Sequence, residues 1–183
     1  GKNVYGEIMP IQSVVIEEGV TSIGASSFEN CRDISSVTIP SSVAVIGHHA
    51  FLYCDSLTDI TLPEGVTTLG RQAFGMSGLK NVCLPASLLT VEGYAFSYCK
   101  SLTEITIPGG VTTVGEKALA YCSALTSVVI EGGKASVGER VFENCTALTE
   151  AKIHAVSLGS YAVSGCTALN SVVLEVMESI GDH

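Results

Sequence analysis

The sequence predicts a single solenoid, mainly β, in which successive coils of the chain stack on one another. Three observations carry this prediction: a unit of about 23 residues recurs seven times and partly an eighth within residues 11–181, apolar residues hold fixed places in each copy, and all five phenylalanines share one place. Because one such unit cannot bury its own apolar face, the units must stack. We therefore assign residues 1–183 to one domain, and the incomplete eighth unit leads us to expect a fragment of a longer chain. The units begin at Ile11, Ile34, Leu57, Leu79, Leu102, Leu125, Leu148 and Leu169.

Each unit is expected to open with a short strand and to continue into a second one. Leu57, Ile60 and Leu62 show the first pattern, in which the last two residues alternate as in a strand. Proline follows in four units and ends strand pairing, because it has no N–H to donate. A second apolar pair, such as Val66 and Leu69, precedes a glycine that we expect to adopt a positive φ at a corner.

The rest of each unit is predicted to form a short helical turn. Residues 50–54 illustrate its apolar spacing, which suits one helical turn better than a strand. The phenylalanines lie in this segment, and stacking would place their rings in an internal column. The third unit is one residue short and the seventh loses two, so we expect these two units to carry irregular surface. The phenylalanines are Phe28, Phe51, Phe74, Phe96 and Phe142.

The complete pattern, L-T-x-I-x-[IL]-P-x-x-V-T-x-[ILV]-G-x-x-A-[FL]-x-x-C, resembles the BspA-like class of leucine-rich repeats, most clearly in residues 57–74 and 102–122. The resemblance implies a right-handed leucine-rich-repeat solenoid with a parallel sheet on its concave face. It also implies a surface or secreted protein of anaerobic, host-associated bacteria or of some protozoan parasites. Family members with assigned roles look like adhesins that bind host matrix proteins or other cells, and the family supplies no catalytic motif.

Charge and composition argue against several functions. A net charge of −9, from 18 acids and 9 bases, opposes binding to nucleic acid or to anionic membrane surfaces. No apolar run approaches the roughly 18 residues that span a bilayer, so we expect no membrane insertion. Phosphate-cradling glycine loops and convergent carboxylate pairs are missing from the repeat pattern. We therefore expect no enzyme activity, no cofactor and no metal.

Six of the seven cysteines occupy one place in the repeat and form a ladder. Successive ladder cysteines are 21 to 45 residues apart, unlike the close pairs of a zinc site. Adjacent coils would bring them within disulfide range, but their parallel side-chain directions favour buried, reduced thiols, and their oxidation state stays open. Cys83 alternates away from the core and is expected to be an exposed thiol, without a histidine at a matching place.

The concave strands provide the candidate binding surface. Small β-branched residues there are also what any sheet prefers, whereas the acidic residues among them are not explained by strand propensity. Tyr53, Tyr98 and Tyr121 share another place, where they either cover the rim or contact a sugar or protein. His48 and His49 are interpreted as part of a solvated turn. The predicted partner-binding residues are Thr38, Thr61, Thr106, Val129, Lys152, Asp59, Glu104 and Glu150.

We interpret the chain as a non-enzymatic binding or adhesion segment of a bacterial cell-surface or secreted protein. It would recognise a protein or a glycan, such as host matrix or another cell surface, and a basic or polar protein segment suits the acidic residues. The alternative is a passive structural spacer that holds other domains away from the cell. The sequence makes no prediction of the oligomeric state.

Overall fold

The computed structural model describes residues 10–181, except for the side chains of Val176 and Met177. It forms a parallel β-solenoid with one coil per repeat, as predicted. Each of the first five coils contributes two short strands, here called the first and second strand of the coil. The first strands are β1 (Ser13–Val15), β3 (Ser36–Thr38), β5 (Asp59–Thr61), β7 (Asn81–Cys83) and β9 (Glu104–Ile107). The second strands are β2 (Ser22–Ile23), β4 (Val45–Ile46), β6 (Thr68–Leu69), β8 (Thr90–Val91) and β10 (Thr113–Val114).

In the last three coils the two strands merge into one long strand. These strands are β11 (Ser127–Val137), β12 (Glu150–Leu158) and β13 (Ser171–Ile180). Coils two to five carry proline after the first strand, and the last three carry Glu131, His154 and Glu175 there. Proline therefore separates the strands where it is present. The first coil also lacks this proline, but Gly19 turns the chain between β1 and β2 with a φ of 95°.

The predicted helical turn is wrong, since none of residues 10–181 forms a helix. The segment is instead a run of consecutive β-turns, here called the turn ribbon. In it the Cys54 N–H bonds to the Phe51 oxygen of the same coil at 3.4 Å, whereas the Phe51 N–H bonds to the Ala73 oxygen of the next coil at 2.7 Å. A helix would use every N–H within the coil, but here alternate N–H groups join neighbouring coils. The ribbon accordingly needs two left-handed residues per coil, such as His49 (φ 58°) and Tyr53 (φ 60°).

The core contains the predicted aromatic column. Centroids of successive rings from Phe28 to Phe96 are 5.2, 5.3 and 5.6 Å apart, and the rings are nearly parallel. Phe28, in the first coil, is partly exposed, while Phe142 is buried one coil beyond Leu119. The leucines that open the units are likewise fully buried from Leu57 to Leu148. Offset stacking at such centroid distances is favourable, and each ring also removes a large apolar area from water.

The glycine after the second strand, here called the corner glycine, does not have the positive φ that we expected; in the fourth coil Glu92 holds its place and Gly93 follows. Its role is to let backbones approach. A Cβ on Gly70 would lie 2.7 Å from a backbone atom of Gly47, and one on Gly115 would lie 2.3 Å from the Gly93 nitrogen. Glycine is therefore required by contact between coils and not by its own dihedral angles.

All seven cysteines are free thiols in this structure, and the ladder lies in the core or at its edge. Each ladder thiol of the later coils donates to a carbonyl of the preceding coil, as Cys99 does to Phe74 O at 3.1 Å and Cys122 to Phe96 O at 3.2 Å. Burial raises the pKa of Cys99 to about 11, and it raises the pKa of Cys54 to about 12. Ser77 takes the cysteine place in the short third coil and donates to Phe74 O at 2.7 Å.

Candidate binding surface

All eight predicted partner-binding residues lie on one surface, here called the first-strand face. It consists of the outward side chains of β1, β3, β5, β7 and β9 and of the first halves of β11, β12 and β13. Six of the eight predicted residues are exposed there, whereas Val129 and Glu150 are half-buried. Strand pairing aligns Glu104, Ser127 and Glu150 in one row.

The first strands do not form one continuous sheet. They pair as β1 with β3, as β5 with β7, and as β9 with β11, β12 and β13. At the paired junctions the Ile16 N–H bonds to Thr38 O and the Leu62 N–H bonds to Cys83 O, both at 3.0 Å. Within the described chain, strand pairing joins neither β3 to β5 nor β7 to β9. The first-strand face is thus divided twice.

A depression lies at each of the two divisions. The depression between β3 and β5 has a volume of about 370 Å³, and its lining includes Thr38, Asp59 and Thr61. The one beside β7 and β9 has a volume of about 350 Å³, and Glu104, Thr106 and Val129 contribute to its lining with Cys83. The structure therefore gathers six of the predicted residues into two groups. Glu150 and Lys152 line neither depression and form an ion pair of 3.1 Å with each other.

The acidic residues of this face differ in their partners. Asp59 accepts hydrogen bonds from Thr58 Oγ1 at 2.6 Å and from Asn81 Nδ2 at 2.7 Å. These bonds, first that from Thr58 and then that from Asn81, lower the pKa of the Asp59 carboxyl, so it is ionised at neutral pH. The exposed Glu104 has no hydrogen bond or ion pair within residues 10–181. Both carboxylates can therefore accept bonds from an incoming cation.

Among the described residues, the exposed Cys83 thiol and the neighbouring histidines His48 and His49 have different surroundings. Cys83 is exposed, as predicted, and the depression that it lines contains no histidine. His48 Nδ1 accepts the Arg71 N–H at 3.0 Å and lies 3.2 Å from Glu92 Oε2, while His49 contacts Gln72. Across residues 10–181 there is no group of three or more His, Cys, Asp or Glu side chains placed to hold a metal ion.

A second surface, the turn face, is formed by the outer sides of the stacked turn ribbons. Tyr98 and Tyr121 stack there with centroids 4.4 Å apart and an interplanar angle of 4°. Burial, followed by the proximity of Tyr121, raises the pKa of the Tyr98 hydroxyl. Lys117 forms a 3.2 Å ion pair with Glu143, and this hydrogen-bonded contact raises the pKa of the lysine. Tyr98 and Tyr121 thus pack on each other, and both interpretations of the tyrosine place, a cover for the rim or a contact with a sugar or protein, stay predictions.

Sequence reasoning overlooked Tyr94 and Tyr161, which occupy the other left-handed place of the turn ribbon. Arg71 lies 4.4 Å from the centroid of the Tyr94 ring, and Arg140 lies 5.1 Å from that of Tyr161. Such cation–π contacts hold the two guanidinium groups against the ribbon. A sequence signal exists: this place lies two residues before the phenylalanine place, and it holds a polar or aromatic residue in every coil.

No helix within residues 10–181 has the length and apolar character needed to cross a membrane.

Comparison with known proteins indicates a repeat family. The profile of the "BspA type Leucine rich repeat region" matches in six copies, over residues 1–124 and 73–183. Among solved structures, the chain is similar to a leucine-rich repeat protein of T. pallidum, with 24% identity and a TM-score of 0.65 over 93% of this chain and 73% of that one. No curated protein matches significantly.

Two further solved structures align less closely. A leucine-rich repeat protein from Bacteroides ovatus has 25% identity and a TM-score of 0.43, over 94% of this chain and 63% of its own. A leucine-rich cell surface protein from Faecalibacterium prausnitzii has 23% identity and a TM-score of 0.38, over 89% of this chain and 59% of its own.

Proposed function

The chain belongs to the BspA-type leucine-rich repeat family, and from that premise we propose that it is a non-enzymatic binding segment that recognises a basic polypeptide through its first-strand face. In this proposal it is part of a bacterial cell-surface or secreted protein, and its partner belongs to host matrix or to another cell. Repeat solenoids of this kind use extended surfaces for binding, which supports the assignment. A repeat fold does not determine its partner, so the kind of partner is inferred from the residues of this face.

The observation that carries the proposal is the double interruption of the first-strand face. Where β3 and β5 or β7 and β9 fail to pair, a depression of about 370 or 350 Å³ forms and exposes outward side chains. The depressions are shallow, and together they offer a broad contact area and not one enclosed pocket. An extended polypeptide that crosses the coils can reach both of them.

The acidic residues of the first-strand face indicate the kind of partner. Asp59 lies in the first depression and Glu104 in the second, and each retains the capacity to accept hydrogen bonds. Lysine and arginine side chains supply donors with the opposite charge, and arginine can engage a carboxylate with two parallel bonds. The net charge of −9 would also increase the rate of encounter with a basic partner at low salt.

The test combines charge reversal with a panel of defined probes. The immobilised chain is challenged with purified host matrix proteins and with lysine- and arginine-rich peptides, and binding is followed by surface plasmon resonance. We expect a salt-sensitive interaction with at least one probe, and we expect the triple variant Asp59→Lys, Glu104→Lys, Glu150→Lys to weaken it at least about tenfold.

A matched variant separates this face from a general charge effect. Glu17→Lys, Asp33→Lys, Glu131→Lys changes the net charge equally at exposed residues outside the two depressions. It should retain most of the binding. If both triple variants lose binding equally, the first-strand face is not the site. If the unmutated chain binds no probe, the spacer alternative is favoured.

A further inference from the structure

The tyrosines of the turn face occupy backbone positions that do not suit them. All five tyrosines within residues 10–181 have a positive φ, between 58° and 64°. Left-handed backbone is unfavourable for a side chain with a Cβ, and asparagine or glycine tolerates it better. Asn30, Asn144 and Gly165 hold the place of Tyr53, Tyr98 and Tyr121 in other coils, whereas Tyr94 and Tyr161 lie at the other left-handed place. Backbone preference therefore does not account for tyrosine at these places, since the turn ribbon accepts several residue types there. The five are Tyr53, Tyr94, Tyr98, Tyr121 and Tyr161.

One stretch of this surface is open where its neighbours are filled. Tyr53, Met76 and Tyr98 hold equivalent places in the second, third and fourth coils. The narrow Met76 lies between the two tyrosines, and Gly78 has no side chain where the adjacent coils carry Asp55 and Lys100. The result is a cavity of about 390 Å³ lined by Tyr53, Asp55, Met76, Tyr98 and Lys100. We call it the tyrosine slot.

The walls of the slot are ring faces. Tyr98 stacks on Tyr121 of the fifth coil, so its other face is directed toward the third coil. Arg32 of the first coil lies 5.8 Å from the centroid of the Tyr53 ring, so the opposite face of Tyr53 is also directed toward the third coil. Met76, at the equivalent place of the third coil, also lines the slot. A thioether there supplies a polarisable, apolar surface.

The width of the slot discriminates between flat and puckered ligands. Two coil steps of roughly 4.8 Å separate the tyrosine places by roughly 10 Å. A flat ring held at van der Waals contact on both sides needs only about 7–8 Å. A nucleobase or aromatic side chain would therefore fit loosely, whereas a thicker, puckered ring with C–H groups on both sides fills the gap.

Polar groups stand at the edge of the slot. Asp55 uses Oδ2 in a 2.9 Å ion pair with Arg32, which leaves Oδ1 available as an acceptor. Lys100 is exposed and has no ion pair or hydrogen bond within the described chain. One acceptor and one donor of opposite charge suit adjacent hydroxyl groups, which both donate and accept.

We propose that the tyrosine slot is a carbohydrate-binding site that takes one neutral pyranose unit of a glycan. The sugar ring lies between Tyr53 and Tyr98, over Met76, and its hydroxyl groups bond to Asp55 and Lys100. This site is separate from the first-strand face, and it does not depend on a polypeptide partner binding there.

The test uses the unmodified chain and the methyl glycosides of glucose, galactose, mannose and N-acetylglucosamine. The chain has no tryptophan, so its intrinsic fluorescence comes from six tyrosines, two of which, Tyr53 and Tyr98, line the slot. Titration should change this fluorescence for at least one glycoside, and saturation-transfer NMR should show contact with the sugar ring protons. If no glycoside binds up to tens of millimolar, or if only peptides bind, the proposal is overturned.

Two variants locate the binding in the slot. Met76→Tyr fills it with the residue that the neighbouring coils carry, and Tyr98→Asn removes one wall with a residue that suits the left-handed backbone. Each should weaken glycoside binding at least tenfold. Tyr94→Asn is the matched control, since it makes the same change in the same coil outside the slot. Unchanged binding by Met76→Tyr, or equal loss with Tyr94→Asn, would overturn the proposal.

The two proposals fail separately. The charge-reversal variant of the first-strand face leaves the slot intact and should bind the glycoside normally. Thermal unfolding of Met76→Tyr checks that the solenoid remains folded, and we expect its midpoint to stay close to that of the unmodified chain because Tyr98 and Tyr121 already stack in this way.

Discussion

The first and second strands come from the same repeat, yet only the second strands form an unbroken sheet. Neighbouring strands pair from β2 through β4, β6, β8 and β10 to β11, β12 and β13. The first strands pair in three separate groups. The corner glycines follow the second strands and let neighbouring backbones approach closely. The second-strand side of the solenoid is therefore the more tightly and continuously joined of the two.

The largest effect is expected from one methyl group added beside the second strands. In Gly115→Ala the new Cβ would lie 2.3 Å from the backbone nitrogen of Gly93. Backbone atoms cannot yield as a flexible side chain does, so we expect the free energy of unfolding to fall by about 3 kcal/mol or more. Urea denaturation followed by circular dichroism measures it.

The first coil offers the control for that substitution. In Gly24→Ala the new Cβ meets only the Ser27 hydroxyl, at 3.2 Å. We expect a change of no more than about 0.5 kcal/mol. If both alanine variants have the same stability, close approach of the backbones is not what the corner glycine provides.

The pH dependence of the free energy of unfolding tests the burial of the ladder thiols in the core. Burial raises the pKa of Cys99 to about 11, above the ordinary value of 9.0. Between these values the unfolded chain has released a proton that the folded chain retains, so stability should fall as pH rises through this range and should not depend on this thiol below it. Each such thiol contributes about 1.4 kcal/mol per pH unit.

Cys99→Ser should reduce the pH dependence of stability by the contribution of one thiol, since serine does not ionise in this range. Serine already occupies the equivalent place of the third coil, as Ser77. Unfolding by urea under reducing conditions, at about pH 8 and about pH 10, gives the slope. The exposed Cys83 provides the control as Cys83→Ser. An unchanged slope in Cys99→Ser would mean that this thiol is not desolvated in the folded chain.

The smallest effect is expected on the first-strand side. Thr38→Ala and Thr61→Ala each remove an exposed side chain at the first division of the first-strand face. We expect each to change the free energy of unfolding by less than about 0.5 kcal/mol. A loss comparable to that in Gly115→Ala would show that the first-strand face also holds the coils together.

Much of the fold was predictable because the same residue types recur at the same places of successive repeats. Phe51, Phe74 and Phe96 share one place in successive coils, and only an internal column satisfies all three. The position of proline similarly predicted where the first strands end. The long strands of the last three coils follow from the same rule, because these coils lack the proline.

The incorrect predictions came from sequence patterns that fit two structures equally well. Apolar residues spaced as in 50–54 suit both a helical turn and a run of β-turns, because both direct the same side chains inward. The deciding signal was the recurrence of Asn30, Asn144 and Gly165 at a single place, which indicates left-handed backbone. The corner glycine was placed correctly, but its positive φ was wrong, since the constraint comes from the adjacent coil.

The candidate sites were predictable only in part. Alternation along the strands predicted which side chains face outward, and all eight residues do lie on the first-strand face. The two divisions between them were not predictable, because Thr38, Thr61 and Thr106 look alike in sequence whether their strands pair or not. The tyrosine slot lies where the third coil lacks a tyrosine. The sequence alone does not show that Tyr53 and Tyr98 flank this place.

The thiol hydrogen bonds give the solenoid a direction. Cys99, Cys122 and Cys145 each donate to the coil that precedes them in the chain. During synthesis the ribosome therefore delivers every carbonyl acceptor before the sulfur donor that needs it. Each newly emerged coil finds its thiol acceptors in place, whereas its turn-ribbon N–H groups, such as that of Phe51, find their acceptors only when the next coil has emerged.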